Sequence, residues 1–224
     1  MLEYMATPHV LDSVGDILLI PRAERAAALE LQLANLLCEP RDATHSLPWH
    51  RDAFVGQHDC DPPPAEEKTK LEGRNFGSDR STQWNCALWD DSCLYVVPRS
   101  HRRIRTAAEV EVSKLLYDQQ RRGCVHIEGE MAVPLKAGQV VYFQSFLLHR
   151  GIYPVGVPRC SIHACMGTAA HRTKVDENDF MASPAFEAKL PERLRPYWRN
   201  RYSENPSGEY VPKFDALRAV PARL

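Results

Sequence analysis

Four short segments carry the strand pattern most clearly. Trp84 to Trp89, Cys93 to Val97, Gln139 to Leu148 and Arg159 to Met166 are rich in β-branched and aromatic residues and bounded by Pro, Gly or Asp. A fifth, Ala26 to Cys38, sets Leu29, Leu31 and Leu33 against Glu30, Gln32 and Ala34. Strict alternation predicts a strand with one buried face, and the abundance of Ala and Leu makes a helix the competitor. Glu109 to Arg122 opens with alternating valines and continues as a polar helix that turns Leu115 and Leu116 inward. Gly56 to Ser81 places Pro62, Pro63 and Pro64 beside Glu66, Glu67, Lys68 and Lys70 and reads as a surface loop. After Thr168 the pattern becomes irregular, and Pro191 to Tyr202 suggests a short basic helix broken by Pro196. No internal repeat is present. Short strands separated by turns, with few helices, predict a mainly β fold: a sandwich or barrel with helices at its ends.

The 224 residues suffice for one well-buried domain, and no linker-like stretch divides them. The chain therefore reads as a single domain over 1–224, with a core over about 27–168 and a C-terminal extension over 169–224. The 28 basic and 29 acidic residues nearly cancel. Such a balance gives no overall field toward nucleic acid or an anionic membrane, so a small molecule or a neutral partner is the expected ligand. Seven cysteines without a CxxC pair predict free thiols in a reducing compartment. The absence of a long apolar run or a secretory start predicts a soluble, cytoplasmic protein without a membrane span. The terminal Ala222-Arg223-Leu224 matches the residue classes of a peroxisomal address, which is the alternative location. Oligomeric state is not legible.

Candidate chemistry begins at Trp49-His50-Arg51-Asp52. On an extended strand, residues two apart point to one face, so His50 and Asp52 can present a nitrogen and an oxygen to one ion. About a hundred residues later His149 ends the apolar run from Gly138, as a ligand from a neighbouring strand would. Two histidines and one carboxylate on one face of a metal, with the other positions open, form the donor set of non-haem iron(II) oxygenases. The residual charge suits a bidentate 2-oxo acid, whose second anionic end needs a cation. Arg159 follows ten residues after His149, across the turn from Tyr153 to Pro158. A reversal centred near Pro154 would set Arg159 opposite His149, where its planar fork grips a carboxylate. Ser161, on the same face, can add a hydroxyl. A metal enzyme without 2-oxo acid chemistry is one rival; a zinc hydrolase is another, for which no general base is evident.

From about Leu29 to Gly167 the chain resembles the phytanoyl-CoA dioxygenase family of double-stranded β-helix oxygenases. The resemblance rests on LQLANLL, PWHRDAF, QWNCALWDDSCLYVVPRSHR and the stretch from LLHRG to VPRCSIH. It implies a jelly-roll, cupin-like fold with a few flanking helices. It implies iron(II) held by His50, Asp52 and His149, with 2-oxoglutarate as cosubstrate held by Arg159, and O2 as oxidant. Trp84 matches a family position packed near the cosubstrate, and Gln32 and Asn35 lie on the strand lining its pocket. The implied reaction oxidises, usually hydroxylates, an unactivated C–H bond of a small molecule and releases succinate and CO2. An acyl-CoA or a natural-product-like compound is the implied substrate class. Gly151 fits the family's small residue after the distal histidine. Arg99 stands where the family carries glycine in Pro-Gly-Ser-His, and His101, crowded by cations, reads as structural. Arg99, Arg102, Arg103 and Arg105 could meet coenzyme A phosphates but read first as solvated. The family usually has more helices before the Leu29 strand, so the chain reads either as a shortened form whose substrate pocket lacks a wall or as a member near a smaller family minimum. The alternative is a non-catalytic or truncated metal-binding member of the fold.

Overall fold

The computed structural model describes residues 1–52, 81–113, 115, 125–169, 179–204 and 210–212. Among these residues eight strands lie between Leu29 and Thr168: β1 (Leu29–Cys38), β2 (His45–Ser46), β3 (Ser81–Ala87), β4 (Leu94–Val96), β5 (Met131–Ala132), β6 (Val140–Gln144), β7 (His149–Tyr153) and β8 (Cys160–Thr168). They form two four-stranded sheets, ordered β1-β8-β3-β6 and β2-β7-β4-β5, and every pairing is antiparallel. The chain crosses repeatedly between the sheets, which makes the fold a double-stranded β-helix, or jelly roll. A two-stranded ribbon, β9 (Tyr202–Glu204) with β10 (Tyr210–Pro212), stands apart from both sheets.

The larger sheet has two unlike faces. On its outer face Leu31, Ala34, Trp84, Cys86, Ile162, Ala164 and Met166 form one core. Their partners come from helices at both chain ends: α1 (Leu2–Met5), α2 (Pro8–Ile17), and, beyond α3 (Arg25–Ala28), two later helices. Alternate residues on the inner face are far more polar and include Gln83, Asn85, Ser161 and His163, all buried. A bulge in β1 between Leu31 and Leu33 brings Gln32 inward, where Cys165 Sγ donates to its Oε1 at 3.6 Å. The alternation from Ala26 thus resolves as a strand, although its first six residues are buried on both faces. Helices cover one side and the opposing sheet the other.

Several predicted boundaries move. The run from Gln139 to Leu148 is not one strand: β6 stops at Gln144, where Leu147 N–H donates to Gln144 C=O at 2.9 Å, and His149 opens β7 in the other sheet. Phe146 and Leu148 are buried at 4% and 0% exposure because this crossing runs through the core. An apolar run therefore conceals the turn. For the same reason β7 and β8 do not pair, and Arg159 is not opposite His149. The strand predicted over Trp84 to Trp89 is β3, which starts three residues earlier and ends two earlier, and Leu88 and Trp89 are exposed.

The helix expected from Glu109 begins at Ala107 as α4 (Ala107–Ser113). Its start is a capping box, in which Thr106 Oγ accepts from Glu109 N–H while Glu109 Oε2 accepts from Thr106 N–H. Beyond Ser113 most of that predicted helix lies outside the described residues. So do all of the Gly56 to Ser81 loop but its last residue, and the terminal Ala-Arg-Leu. After α5 (Pro184–Glu187) comes α6 (Arg195–Arg201), which Pro196 starts rather than breaks. Proline's missing N–H costs nothing in a first helical turn. No helix among the described residues is long and apolar enough to cross a membrane.

Candidate metal centre

His50 lies beyond the short β2, joined to β7 by a single bridge. His50 N–H donates to His149 C=O and His149 N–H to His50 C=O, both at 3.0 Å. That reciprocal pair sets the imidazoles side by side, with ring centroids 4.4 Å apart. Each ring is pinned in the same way: His50 Nδ1 donates to Pro48 C=O and His149 Nδ1 to Leu147 C=O, both at 2.8 Å. A carbonyl can only accept, so both protons sit on Nδ1 and each Nε2 carries the lone pair that can bind a cation. Asp52 follows in a turn rather than on a continuous strand. Its carboxylate lies between the two, Oδ1 at 3.5 Å from His50 Nε2 and Oδ2 at 3.3 Å from His149 Nε2.

These three donor atoms all lie within 4.8 Å of one another. Three donors on one face of an ion, with bonds of about 2.1 Å at right angles, stand roughly 3 Å apart, so the set fits a small divalent cation. Burial and the neighbouring His50 lower the pKa of His149, against the opposing pull of Asp52, which favours the neutral ring that a metal needs. Burial is uneven: the side chains of His149 and Asp52 are 8% and 9% exposed, that of His50 29%. The centre is open on the His50 side. Phe143 closes the other with an edge contact to His149 at 5.1 Å between centroids.

Around these three residues stand supports that the sequence did not single out. Gln83 Nε2 donates to Asp52 Oδ2 at 2.6 Å, fixing the carboxylate. Arg51, between the ligands in sequence, is buried and donates to Ser100 C=O, Phe146 C=O and Arg103 C=O. Ser100 Oγ in turn accepts from Leu148 N–H at 2.8 Å. The Pro98-Arg99-Ser100-His101 turn thus steadies the backbone that delivers His149. Arg99 adopts a left-handed conformation there (φ 63°), the geometry for which glycine is suited. His101 is the last residue of that turn, and burial, Arg102 and Arg51 lower its pKa. Of the arginine cluster, Arg103 is clamped by Glu109 through two contacts of 2.6 Å and Arg105 is buried, while Arg99 and Arg102 are exposed.

Arg159 and Ser161 meet, but on a carboxylate of the protein itself. Arg159 Nε and Ser161 Oγ both donate to Asp91 Oδ2, at 2.8 and 2.6 Å, and Cys93 N–H donates to Asp91 Oδ1 at 2.8 Å. Burial would raise the Asp91 pKa; the Ser161 and Cys93 hydrogen bonds and the Arg159 charge outweigh it and hold the carboxyl below its ordinary value. The Arg159 guanidinium lies 4.5 Å over the Tyr153 ring. Tyr153 lies so close to Gly151 that a methyl group there would meet its hydroxyl and ring.

Trp84 is not beside this constellation. It packs with Tyr142 and the helical layer, on the face opposite Gln83 and Asn85, so its expected place near a cosubstrate is corrected: period two turns it outward. Asn85 points inward instead and pairs with His163 Nδ1 at 2.7 Å. Asn35, in register with His163, carries a buried Oδ1 without a partner, as does the Oε1 of Gln83. Gln32 Nε2 reaches Thr168 C=O at 3.5 Å, nearer the other end of the sheet.

No family model matches the chain, and no curated protein matches it. Among solved structures it is similar to AviO1 from Streptomyces viridochromogenes Tue57, at 17% identity over 75% of this chain and 61% of that one, with a TM-score of 0.48. It is similar also to EctD from S. alaskensis with 2-oxoglutarate and 5-hydroxyectoine, at 17% identity over 86% and 61%, TM-score 0.49. A third is SnoN, the non-heme alpha ketoglutarate dependent epimerase from nogalamycin biosynthesis, at 18% identity over 75% and 57%, TM-score 0.46. The chain spans about three fifths of the length of each.

Proposed function

We propose that the protein is an iron(II)- and 2-oxoglutarate-dependent oxygenase acting on an unactivated C–H bond of a small organic molecule. One observation carries the reading: two imidazoles, each with its Nδ1 proton committed to a backbone carbonyl, converge through Nε2 on one carboxylate inside a jelly roll. His50, Asp52 and His149 would hold the metal, and Gln83 would keep Asp52 from turning away. Bound iron(II) would supply the redox chemistry by which O2 and a 2-oxo acid oxidise a C–H bond, with release of succinate and CO2. Two neutral rings and one carboxylate leave a divalent ion one positive charge, matching the carboxylate of a chelating 2-oxo acid.

Arg159 is the group for the far carboxylate. Asp91 occupies its Nε and leaves the Nη pair, for which no hydrogen-bond partner is found among the described residues, as the fork for an incoming anion. In this role Asp91 and Tyr153 orient the guanidinium, and Ser161 serves Asp91 directly. The half-open His50 side is the approach for substrate and O2, while Phe143, Leu94 and Val96 form a dry wall that excludes water. Glu109 clamps Arg103 and Arg105 is buried, which leaves only Arg99 and Arg102 of that cluster exposed and without such a clamp, so we favour a small molecule without a coenzyme handle.

Anaerobic titration of the iron-loaded protein with 2-oxoglutarate tests this. A visible metal-to-ligand charge-transfer band, absent in Asp52→Ala, is expected, and a substrate screen should then give succinate release. No band at saturating iron and cosubstrate would reject the proposal. A second reading, metal binding without 2-oxoglutarate, is favoured by the Asp91 contact that already neutralises Arg159. It predicts tight metal binding and full function in Arg159→Ala.

A further inference from the structure

Cys38 and Cys160 end β1 and begin β8 and are directly opposite one another in the antiparallel register. The neighbouring hydrogen bond runs from Glu39 N–H to Arg159 C=O at 3.2 Å. That bond flanks the pair instead of joining it, which makes Cys38 and Cys160 a non-hydrogen-bonded pair, the type that holds facing side chains closest. Its Cα separation of about 4.5 Å is within the range a disulfide spans, near the short end. Both side chains point to the outer face, beyond the cover of the helices: Cys38 is exposed, Cys160 partly so, and adjacent Leu36 and Leu88 are exposed as well. Both thiols are free in this structure. The other cysteines among the described residues, Cys86, Cys93 and Cys165, are buried.

We propose that Cys38 and Cys160 form a reversible oxidation site that closes to a cross-strand disulfide by exchange with a low-molecular-weight disulfide such as glutathione disulfide. The exposed Cys38 thiolate attacks one sulfur of the oxidant and expels one glutathione thiolate, leaving a mixed disulfide. Cys160 then gives its proton to solvent, attacks the Cys38 sulfur and expels the second glutathione. Two protein thiols are oxidised, one glutathione disulfide becomes two thiols, and no other reactant is needed. Burial and the neighbouring Cys38 thiol push the Cys160 thiol up, which assigns the first attack to Cys38 and the resolving step to Cys160. The short Cα separation strains the closed bond, so it is easily reduced and suits a reversible modification rather than a permanent staple.

The full-length protein is incubated with glutathione disulfide, alkylated, digested without reduction and mapped by mass spectrometry. The expected product is a linked Cys38–Cys160 peptide that disappears on mild reduction. Cys160→Ser should instead accumulate glutathione on Cys38, and Cys38→Ser should give neither product at an appreciable rate. Glutathione persisting on Cys38 of the wild type with Cys160 alkylated, or no reaction at either thiol, would overturn the proposal. Thermal melts of both reduced variants within a few degrees of wild type confirm that the strands still pair.

Discussion

At the scale of single residues the most informative contacts are those behind the candidate metal donors. A hydrogen bond that orients a ligating carboxylate commonly governs metal affinity by roughly tenfold to a hundredfold. Gln83→Ala is therefore expected to weaken iron(II) binding by about that factor while leaving the fold intact, measured by anaerobic calorimetry. An unchanged affinity would show that Asp52 needs no hold. Asp91 is the second test. Its folded pKa is lowered, so the stability it contributes is fully present above its ordinary value of 3.8 and is lost as pH falls through the folded value. Asp91→Asn should cost about 2 to 3 kcal/mol near neutral pH, because Arg159 loses its buried partner. It should also flatten the acid limb of the stability curve, as read by urea unfolding at several pH values. The two residues differ in how legible they were. His50, Asp52 and His149 stand out because their chemistry is specific; Gln83 and Asp91 are ordinary polar residues until a fold aims them.

The elements show why spacing succeeded in one place and failed in another. Ten residues separate His149 from Arg159, a spacing that suits a hairpin, yet His149 opens β7 in one sheet and Arg159 immediately precedes β8 in the other. Alternation says which residues share a face but not which sheet a strand joins. Phase also matters: the resemblance implied a place for Trp84 near the cosubstrate, but Trp84 alternates with Gln83 and Asn85 and so faces the helices. Two substitutions test local geometry. Arg99→Gly removes the cost of a left-handed non-glycine residue and should raise stability by about 1 kcal/mol, visible as a higher urea midpoint. Gly151→Ala would drive the Tyr153 ring off its place beneath Arg159, and is expected to weaken 2-oxoglutarate binding severalfold with iron affinity nearly unchanged. Equal losses of both would mean that β7 itself had shifted.

For the molecule as a whole, the candidate metal centre joins His50 and Asp52 to His149 on β7, segments about a hundred residues apart in the chain. An ion bound only by the folded state stabilises it by mass action, about 2.7 kcal/mol at a hundred times its dissociation constant. Iron(II) added without oxygen should therefore raise the melting temperature by several degrees in the wild type and by none in His149→Ala. The helices stand on the far side of the larger sheet from this centre and supply the apolar mass of the main core, from Met5 and Val14 to Leu194 and Trp198. They stabilise the platform, and the polar inner face is left for chemistry.

The sequence by itself determined the donor types and the β-rich class, because imidazole, carboxylate and guanidinium chemistry and period-two burial are properties of residues and their near neighbours. The tertiary structure alone decided that Asp91 meets Arg159, that Gln83 meets Asp52, that Trp84 faces the helices and that Cys38 faces Cys160. Those are contacts across strands brought together by sheet order and register, and free energy spread over the whole core fixes both, so no local stretch of chain records them.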